Sequence, residues 1–172
     1  MKIGAVGAHF APYRLHVKMQ SMVKTIALAA DHAGFEEKEK VKRTLDELGI
    51  QYEDFGTVSS DSVDYPDYAR KVAEGVSSGK FDQGLLVCGS GTGMAIAANK
   101  VKGVRAAVAW SPEIAALARQ HNDANVLALP ARFVPEDQAA EIVRSWFASD
   151  FEGGRHEKRV AKIKEIESED FK

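Results

Sequence analysis

A glycine-rich loop after an apolar run carries the strongest chemical signal in the sequence. It reads Cys88-Gly89-Ser90-Gly91-Thr92-Gly93 and leads directly into a segment of helical period. The glycines let the backbone approach a ligand closely, and the unpaired N–H groups of a first helical turn can hold an oxyanion. The same amides would favour the thiolate of Cys88 if its sulfur faces the loop. The alternative is a purely geometric turn with a small buried cysteine.

Two further motifs place an imidazole beside a carboxylate or an amide. Asp31-His32-Ala33-Gly34 follows another apolar run, and such a pair can orient hydroxyls, transfer protons or accept the charge of a phosphate. The alternative is an N-capping Asp31 with an incidental His32. Arg119-Gln120-His121-Asn122-Asp123 ends a helical segment. His121 is either an acid/base imidazole oriented by Asn122 and Asp123, or a histidine that satisfies the last carbonyl groups of the helix.

Arg155 and Arg159 are four residues apart in a charged C-terminal segment. On a helix their guanidinium groups leave the same face and can clasp a phosphate from two directions, with Lys162 extending the row. The alternative is a solvated basic stripe that is balanced by neighbouring glutamates. The glycine loop lacks the Lys-Ser/Thr pair of a P-loop and the spacing of a dinucleotide fingerprint, so nucleotide binding is disfavoured.

These motifs lie within alternating apolar runs and helical segments from residue 24 onward. The pattern predicts a parallel sheet wrapped by helices, with ligands beyond the carboxyl ends of the strands. The motifs of Asp31, Cys88 and His121 are all expected near that edge of the sheet. The predicted strands are 25–30, 51–55, 83–88, 104–109 and 125–129. The predicted helices are 35–48, 67–77, 92–100, 112–121, 135–148 and 154–167.

Capping residues and apolar periodicity support several of these helices. Ser111 is expected to cap the start of the fourth helix, and Gly49 to end the first. The inward-facing residues should be Val41, Leu45 and Leu48 in the first helix, Ile114, Leu117 and Ala118 in the fourth, and Ala139, Ile142, Val143 and Trp146 in the fifth. The last helix has a thin apolar stripe, Val160, Ile163 and Ile166, and is expected to lie over a sheet edge or a partner subunit.

Length and composition exclude several classes of protein. The 172 residues suit one compact domain, expected over residues 22–172. A net charge of -2 argues against nucleic-acid binding, and no apolar run is long enough to cross a membrane. The one cysteine rules out an intramolecular disulfide and multi-cysteine zinc patterns, and we expect a soluble, cytoplasmic protein.

Residues 1–21 differ from the rest of the chain because they contain no acidic residue. They are interpreted as an N-terminal extension, which either arises from an upstream translation start or was added when the protein was prepared for expression. A targeting peptide and an added surface strand are the alternatives.

Five ordered motifs together resemble the family of type B ribose-5-phosphate isomerases and galactose-6-phosphate isomerases. They are Asp31 to Phe35, Asp64-Tyr65-Pro66, Cys88 to Gly93 with Ala97-Ala98-Asn99-Lys100 after it, Arg119 to Asp123, and Glu152-Gly153-Gly154-Arg155-His156 with Arg159. The resemblance extends over residues 24–166. It implies a three-layer α/β/α Rossmann-like sandwich with a five-stranded parallel sheet, and a homodimer or dimer of dimers whose active site is shared between subunits.

The resemblance also implies roles for individual residues. Cys88 would be the base that moves a proton between C2 and C1, and His121 would help to open the sugar ring. The implied catalytic set is Cys88, His121, Asp31 and Ser90. The implied substrate-binding set is His32, Tyr65, Gly89, Gly91, Thr92, Gly93, Asn122, Arg155 and Arg159. His121 and the two arginines would come from the other subunit.

The function implied by the resemblance is the interconversion of ribose 5-phosphate and ribulose 5-phosphate without a cofactor. The sequence offers no convincing metal cluster, which fits metal-free chemistry. An isomerase of a six-carbon phosphosugar, such as galactose 6-phosphate, is the first alternative. A non-catalytic sensor of a phosphosugar or nucleotide is the second, and it would have no need of Cys88.

Overall fold

The computed structural model of the protein describes residues 25–170. A five-stranded sheet in the order β2-β1-β3-β5-β4 forms its centre, and every neighbouring pair of strands in it is parallel. The strands are β1 (Ile26–Ala30), β2 (Tyr52–Asp54), β3 (Gly84–Cys88), β4 (Ala106–Val108) and β5 (Val126–Pro130). The predictions for residues 1–21 and for a domain start at residue 22 lie outside the described residues.

Helices cover both faces of the sheet. They are α1 (Phe35–Glu47), α2 (Tyr65–Ser77), α3 (Thr92–Ala98), α4 (Pro112–Asn122), α5 (Glu136–Phe147) and α6 (Arg155–Asp170). Buried side chains of α2 and α3 share one apolar core with the sheet, and those of α1, α4 and α5 share the other. The predicted three-layer sandwich with a five-stranded parallel sheet is confirmed. No helix within the described range has the length and hydropathy needed to cross a bilayer.

The three central strands are buried on both faces, as their uninterrupted apolar sequences predict. The two edge strands are shorter than predicted. Strand β2 comprises three residues, although the N–H of Phe55 just after it still donates to the carbonyl of Leu28 in β1 (2.8 Å). In β4, the backbone N–H of Arg105 donates to the side-chain oxygen of Asn125 (2.7 Å), and the strand begins one residue later.

Several helix details differ from the sequence expectations. Helix α2 begins two residues earlier than predicted because Pro66 is accommodated in its first turn. Leu48 is 38% exposed at the end of α1, so its place in the inward stripe is wrong, whereas Gly49 does adopt a left-handed conformation (φ 69°). In α4, Ala115 takes the fully buried position expected for Leu117, which is half-buried like Ile114.

Other helix expectations are confirmed. The Ser111 hydroxyl accepts a hydrogen bond from the N–H of Ile114 (3.3 Å) and caps α4. The four residues of the α5 stripe are fully buried. Helix α6 differs from these: it packs against α4 and buries Val160, but Ile163 and Ile166, the rest of its expected apolar stripe, are 43% and 58% exposed. Its expected place over a sheet edge or a partner subunit stays a prediction.

A buried lysine ties α1 to the loop that follows β2. The ammonium group of Lys38 donates to both carboxylate oxygens of Asp54 (2.8 and 2.6 Å) and to the carbonyl oxygen of Thr57 (2.8 Å). Its three N–H donors are therefore all used, which a fully buried ammonium requires. The N–H of Thr57 in turn donates to the carbonyl of Ala30 (2.8 Å). This network fixes the chain just before the loop that begins at Asp31.

Candidate active site

The strand order brings the loops after β1 and β3 together. The chain leaves β1 towards β2 on one side and returns to β3 on the other, which is the switch point where such sheets bind ligands. The N–H of Asp31 donates to the carbonyl of Val87 (3.2 Å). A Cβ atom on Gly34 would lie 2.1 Å from that carbonyl oxygen, so only glycine permits this approach. The two sequence motifs therefore form one site.

Cys88 lies at the centre of this site, at the carboxyl end of β3, and is 5% exposed. Burial raises the pKa of its thiol, and the Asp31 carboxylate raises it further. Hydrogen bonds from the backbone N–H groups of Gly91, Met94 and Ser90 to the sulfur lower the pKa. The sulfur therefore faces the loop amides. The amides favour the thiolate as expected, whereas burial and the Asp31 carboxylate oppose it and leave the pKa of the thiol above its ordinary value.

The first loop presents a carboxylate and an imidazole. Asp31 is 6% exposed, and its Oδ1 accepts the N–H of Gly34 (2.8 Å). Gly34, not Asp31, is the N-cap residue of α1. Nδ1 of His32 accepts the N–H of Val63 (3.3 Å), so a neutral ring carries its proton on Nε2. His32 can therefore donate a hydrogen bond from Nε2.

The glycine loop is bordered by hydroxyl groups. Gly91 has a φ of 74° and precedes the first turn of the seven-residue helix α3. The exposed Ser90 and Thr92 bond to each other, with the N–H of Thr92 donating to the Ser90 hydroxyl oxygen (3.4 Å). The ring of Tyr65 lies over Gly93, where an added Cβ atom would meet a ring carbon at 2.8 Å. Gly89 and Tyr65 thus belong to the same site as Cys88.

Arg132 is a candidate residue that the sequence interpretation missed. It follows the carboxyl end of β5, and its N–H donates to the carbonyl of Gly89 (3.0 Å). Its side chain is close enough that a Cβ atom on Gly89 would lie 3.4 Å from Cδ of Arg132. The side chain is exposed, so a cation lies beside the glycine loop. The strand-end rule that identified Cys88 applies equally to β5 and would have found it.

The second group of predicted residues lies elsewhere in the chain. Helix α4 starts after the carboxyl end of β4 and ends before β5 begins, so His121 and Asn122 reach the opposite edge of the sheet. The sequence interpretation placed them near the carboxyl edge, and that placement is wrong. Among residues 25–170, no hydrogen bond, ion pair or ring contact joins this group to Cys88 or its loop.

His121 instead contacts a residue that was not among the predicted site residues. The rings of His121 and His156 stack with centroids 4.2 Å apart and planes 5° apart. Burial lowers the pKa of His156, and the nearby His121, Arg155 and Arg159 lower it further. Nε of Arg155 donates to Nε2 of His156 (3.3 Å), while the exposed Arg159 lies one turn further along α6. A carboxylate oxygen of Glu152 is 3.9 Å from Nε2 of His121.

A comparison with known families assigns the chain to one of them. The family described as ribose/galactose isomerase matches residues 26–163. The chain belongs to this family. It is 48% identical over 145 residues to ribose-5-phosphate isomerase B of Escherichia coli (strain K12), a match that covers 84% of this chain and 97% of that protein. The family assignment and these relatives show that the chain is a sugar-phosphate isomerase.

Solved structures of the family share the fold. Ribose-5-phosphate isomerase B of Clostridium thermocellum is 48% identical and superimposes with a TM-score of 0.82 over 84% of this chain and 98% of that one. The enzyme of Mycoplasma genitalium, solved with bound ribulose-5-phosphate, is 43% identical and has a TM-score of 0.82 over 86% of this chain and 99% of that one. The expected family and Rossmann-like fold are confirmed.

Proposed function

We propose that the protein interconverts ribose 5-phosphate and ribulose 5-phosphate through an enediolate, with Cys88 as the base. The observation that carries this proposal is the position of the Cys88 sulfur, which faces three backbone N–H groups beside the Asp31 carboxylate. A relative 43% identical has been solved with bound ribulose-5-phosphate, which supports the choice of a pentose phosphate.

The reaction needs a base beside carbon and donors beside oxygen. The Cys88 thiolate takes the proton from C2 of the open-chain aldose and returns it to C1, so the sulfur is regenerated at the end. The hydroxyl proton of O2 moves to O1 in the same conversion, so the carbonyl group passes from C1 to C2. The negative charge that develops on oxygen is stabilised by N–H groups of the glycine loop. Because burial raises the pKa of the Cys88 thiol, its thiolate is scarcer but more basic than an ordinary one. Asp31 and Tyr65 orient the sugar hydroxyls.

The topology supports a site that is completed by a second subunit. His121 lies nine residues after Pro112, the first residue of α4, and is therefore about 14 Å along the helix from the edge where the Cys88 loop lies. In the proposed homodimer, His121 of one chain opens the sugar ring in the site of the other. Arg155 and Arg159 then hold the phosphate together with His32 of the chain that supplies Cys88. The exposed isoleucines of α6, Ile163 and Ile166, fit a surface that a partner covers.

Replacement of the base tests the chemistry. We expect Cys88→Ala to lower kcat by about 10²- to 10⁴-fold, the usual contribution of a positioned base. Binding of ribose 5-phosphate, measured by calorimetry, should change little because the phosphate contacts lie on other residues. Ala33→Ser serves as a control that adds a hydroxyl nearby without removing the thiol. Turnover that survives in Cys88→Ala would remove Cys88 from the mechanism, and binding without any turnover in the wild type would favour the sensor alternative.

Mixed dimers test the shared site. Cys88→Ala and Arg155→Ala chains are each expected to be inactive alone, but a mixed dimer contains one site with neither substitution. Random exchange at equal concentrations makes half of the dimers mixed, so about one quarter of wild-type activity should return. Activity that fails to return in dimers shown to be mixed by mass spectrometry would mean that each chain holds a complete site.

A six-carbon phosphosugar remains the alternative substrate, and parallel assays with ribose 5-phosphate and galactose 6-phosphate decide between them. Turnover of the hexose phosphate alone would overturn the pentose assignment. The proposal also includes a cytoplasmic location, because the chain's one cysteine must stay reduced to act as a base.

A further inference from the structure

Three potential metal ligands meet at the edge of the sheet opposite the Cys88 loop. His121, Glu152 and His156 each offer one ligand atom, and these three atoms all lie within 4.8 Å of one another. His121 is in the last turn of α4, and His156 is in the first turn of α6. Glu152 and His156 belong to one short segment, but His121 lies 31 residues before Glu152, so the sequence alone does not show that the three residues form a cluster.

The backbone around the cluster is held by hydrogen bonds. The N–H of Glu152 donates to the carbonyl of Gln120 (3.0 Å), so the loop before α6 is fastened to the end of α4. The N–H of His156 donates to the carbonyl of Gly153 (3.0 Å), and its side chain is 6% exposed. The three α-carbons are therefore fixed, and one ligand is already in a defined position.

An ion from solvent can reach the cluster. The side chains of His121 and Glu152 are 33% and 54% exposed, so both can adjust their rotamers. Zinc binds nitrogen and oxygen at about 2.0–2.2 Å, which places neighbouring ligand atoms about 3.5 Å apart in a tetrahedron. The ligand atoms now lie up to 4.8 Å apart, so the distances between them must shorten by little more than 1 Å to bind the ion. The stacked His121 ring must also tilt, because two parallel rings direct their lone pairs along parallel lines.

The ligand set matches zinc. Two imidazoles and one carboxylate with a fourth position open to water are a common zinc-binding combination. The positive charge of Arg155 lies beside the cluster and repels a cation. Its Nε donates a hydrogen bond to Nε2 of His156, and this bond must break if that nitrogen binds the metal. The affinity should therefore be moderate, which suits an ion that is taken up and released.

We propose that His121, Glu152 and His156 bind a zinc ion, and that this ion inhibits the isomerase. A zinc-bound imidazole of His121 can neither accept nor donate a proton at the ligating nitrogen, so it cannot assist ring opening. The inhibitory consequence rests on the proposed function, whereas the binding site does not.

Binding is tested directly by titrating the full-length protein with zinc chloride in a calorimeter. We expect one zinc ion per chain. Glu152→Gln should weaken binding by at least about tenfold, because even the loss of an outer-shell partner costs about 10- to 100-fold in metal affinity. Glu165→Gln, which removes an exposed carboxylate elsewhere on α6, should leave binding unchanged. Equal weakening by both substitutions, or no zinc uptake by the wild type, would overturn the site.

The thiolate of Cys88 can also bind zinc, and a second variant separates the two sites. Cys88→Ser should keep the calorimetric zinc binding, and cobalt bound in place of zinc should show no sulfur-to-metal absorption band. Loss of binding in Cys88→Ser would place the ion at the thiol and refute the proposal.

Inhibition is tested with the isomerase assay. Zinc should inhibit the wild type reversibly, with activity restored by a chelator, and Glu152→Gln should need at least about tenfold more zinc for the same inhibition. Zinc that binds at the cluster without inhibiting would refute the inhibitory role alone. A wild type that lacks isomerase activity even without zinc would refute the proposed function and leave the binding result standing.

Discussion

The raised pKa of the Cys88 thiol makes a specific prediction about how its reactivity depends on pH. An ordinary thiol has a pKa of about 8.5, and burial together with the Asp31 carboxylate raises that of Cys88. Between pH 6 and 8 the thiolate fraction should therefore grow about tenfold for each pH unit, without a plateau. A catalytic thiol of the low-pKa type would instead level off within this range.

Alkylation measures this dependence without the need for a substrate. The chain contains one cysteine, so labelling by iodoacetamide, followed by intact mass, reports on Cys88 alone. The low exposure of the sulfur slows labelling at every pH and leaves the slope unchanged. The same slope is expected in kcat/KM, which reports ionisation in the free enzyme. Labelling that levels off below pH 8 would refute the reasoning.

Asp31→Asn separates the two causes of the raised pKa. Loss of the carboxylate charge should lower the thiol pKa and speed labelling at each pH below it, while burial continues to act. Turnover should fall in the same variant, because Asp31 is proposed to orient the sugar, so the two readouts move in opposite directions. Asp82→Asn is the control, since Asp82 lies at the other end of β3, about 20 Å away and beyond the Debye length. Unchanged labelling in Asp31→Asn would remove the electrostatic explanation.

Two further predictions concern the scaffold of the site, and urea unfolding measures both. Asp54→Asn should lower the free energy of unfolding by about 3–5 kcal/mol, because it removes the closest countercharge of the buried Lys38 ammonium and leaves only the more distant Glu39 carboxylate, at 3.5 Å. Glu53→Gln, which breaks an exposed pair, should cost less than about 1 kcal/mol. Gly34→Ala should cost at least about 3 kcal/mol, since its Cβ atom would overlap the β3 backbone. Gly79→Ala, which has open space around it but a φ of 74°, should cost about 1–2 kcal/mol. Equal losses of stability in Asp54→Asn and Glu53→Gln would contradict the ion-pair argument, and equal losses in the two glycine variants would contradict the packing argument.

Burial on both faces explains why the centre of the fold was predictable. A strand that is buried on both faces, such as β1 (Ile26–Ala30), has an uninterrupted apolar sequence, and short runs of this kind are typical of such strands. The edge strands lack this signal. Glu53 and Asp54 face solvent or an ion pair, so the residue types do not mark where pairing ends. Leu48 was misplaced for a related reason, since a helical period predicts a face but not whether the last turn is covered.

The site was predictable where it follows from strand ends and unpredictable where it depends on tertiary packing. Asp31 directly follows β1 and Cys88 ends β3, and the strand order makes their loops neighbours. The stacking of His121 on His156 joins a helix end to the start of another helix, and no spacing in the sequence encodes that contact. The position of His121 was misjudged although a signal existed, because a helix that follows a parallel strand must return towards the opposite edge.

This return of the helices has a functional consequence. A parallel sheet collects its strand-end loops at one edge, and each crossover helix carries its last turn to the other. Cys88 and Asp31 therefore lie at one edge of the sheet, and His121 with Arg155 at the other. Rotation of the His121 side chain cannot span the roughly 14 Å of helix between Pro112 and His121. If one reaction needs both groups, the fold itself requires that they come from different chains.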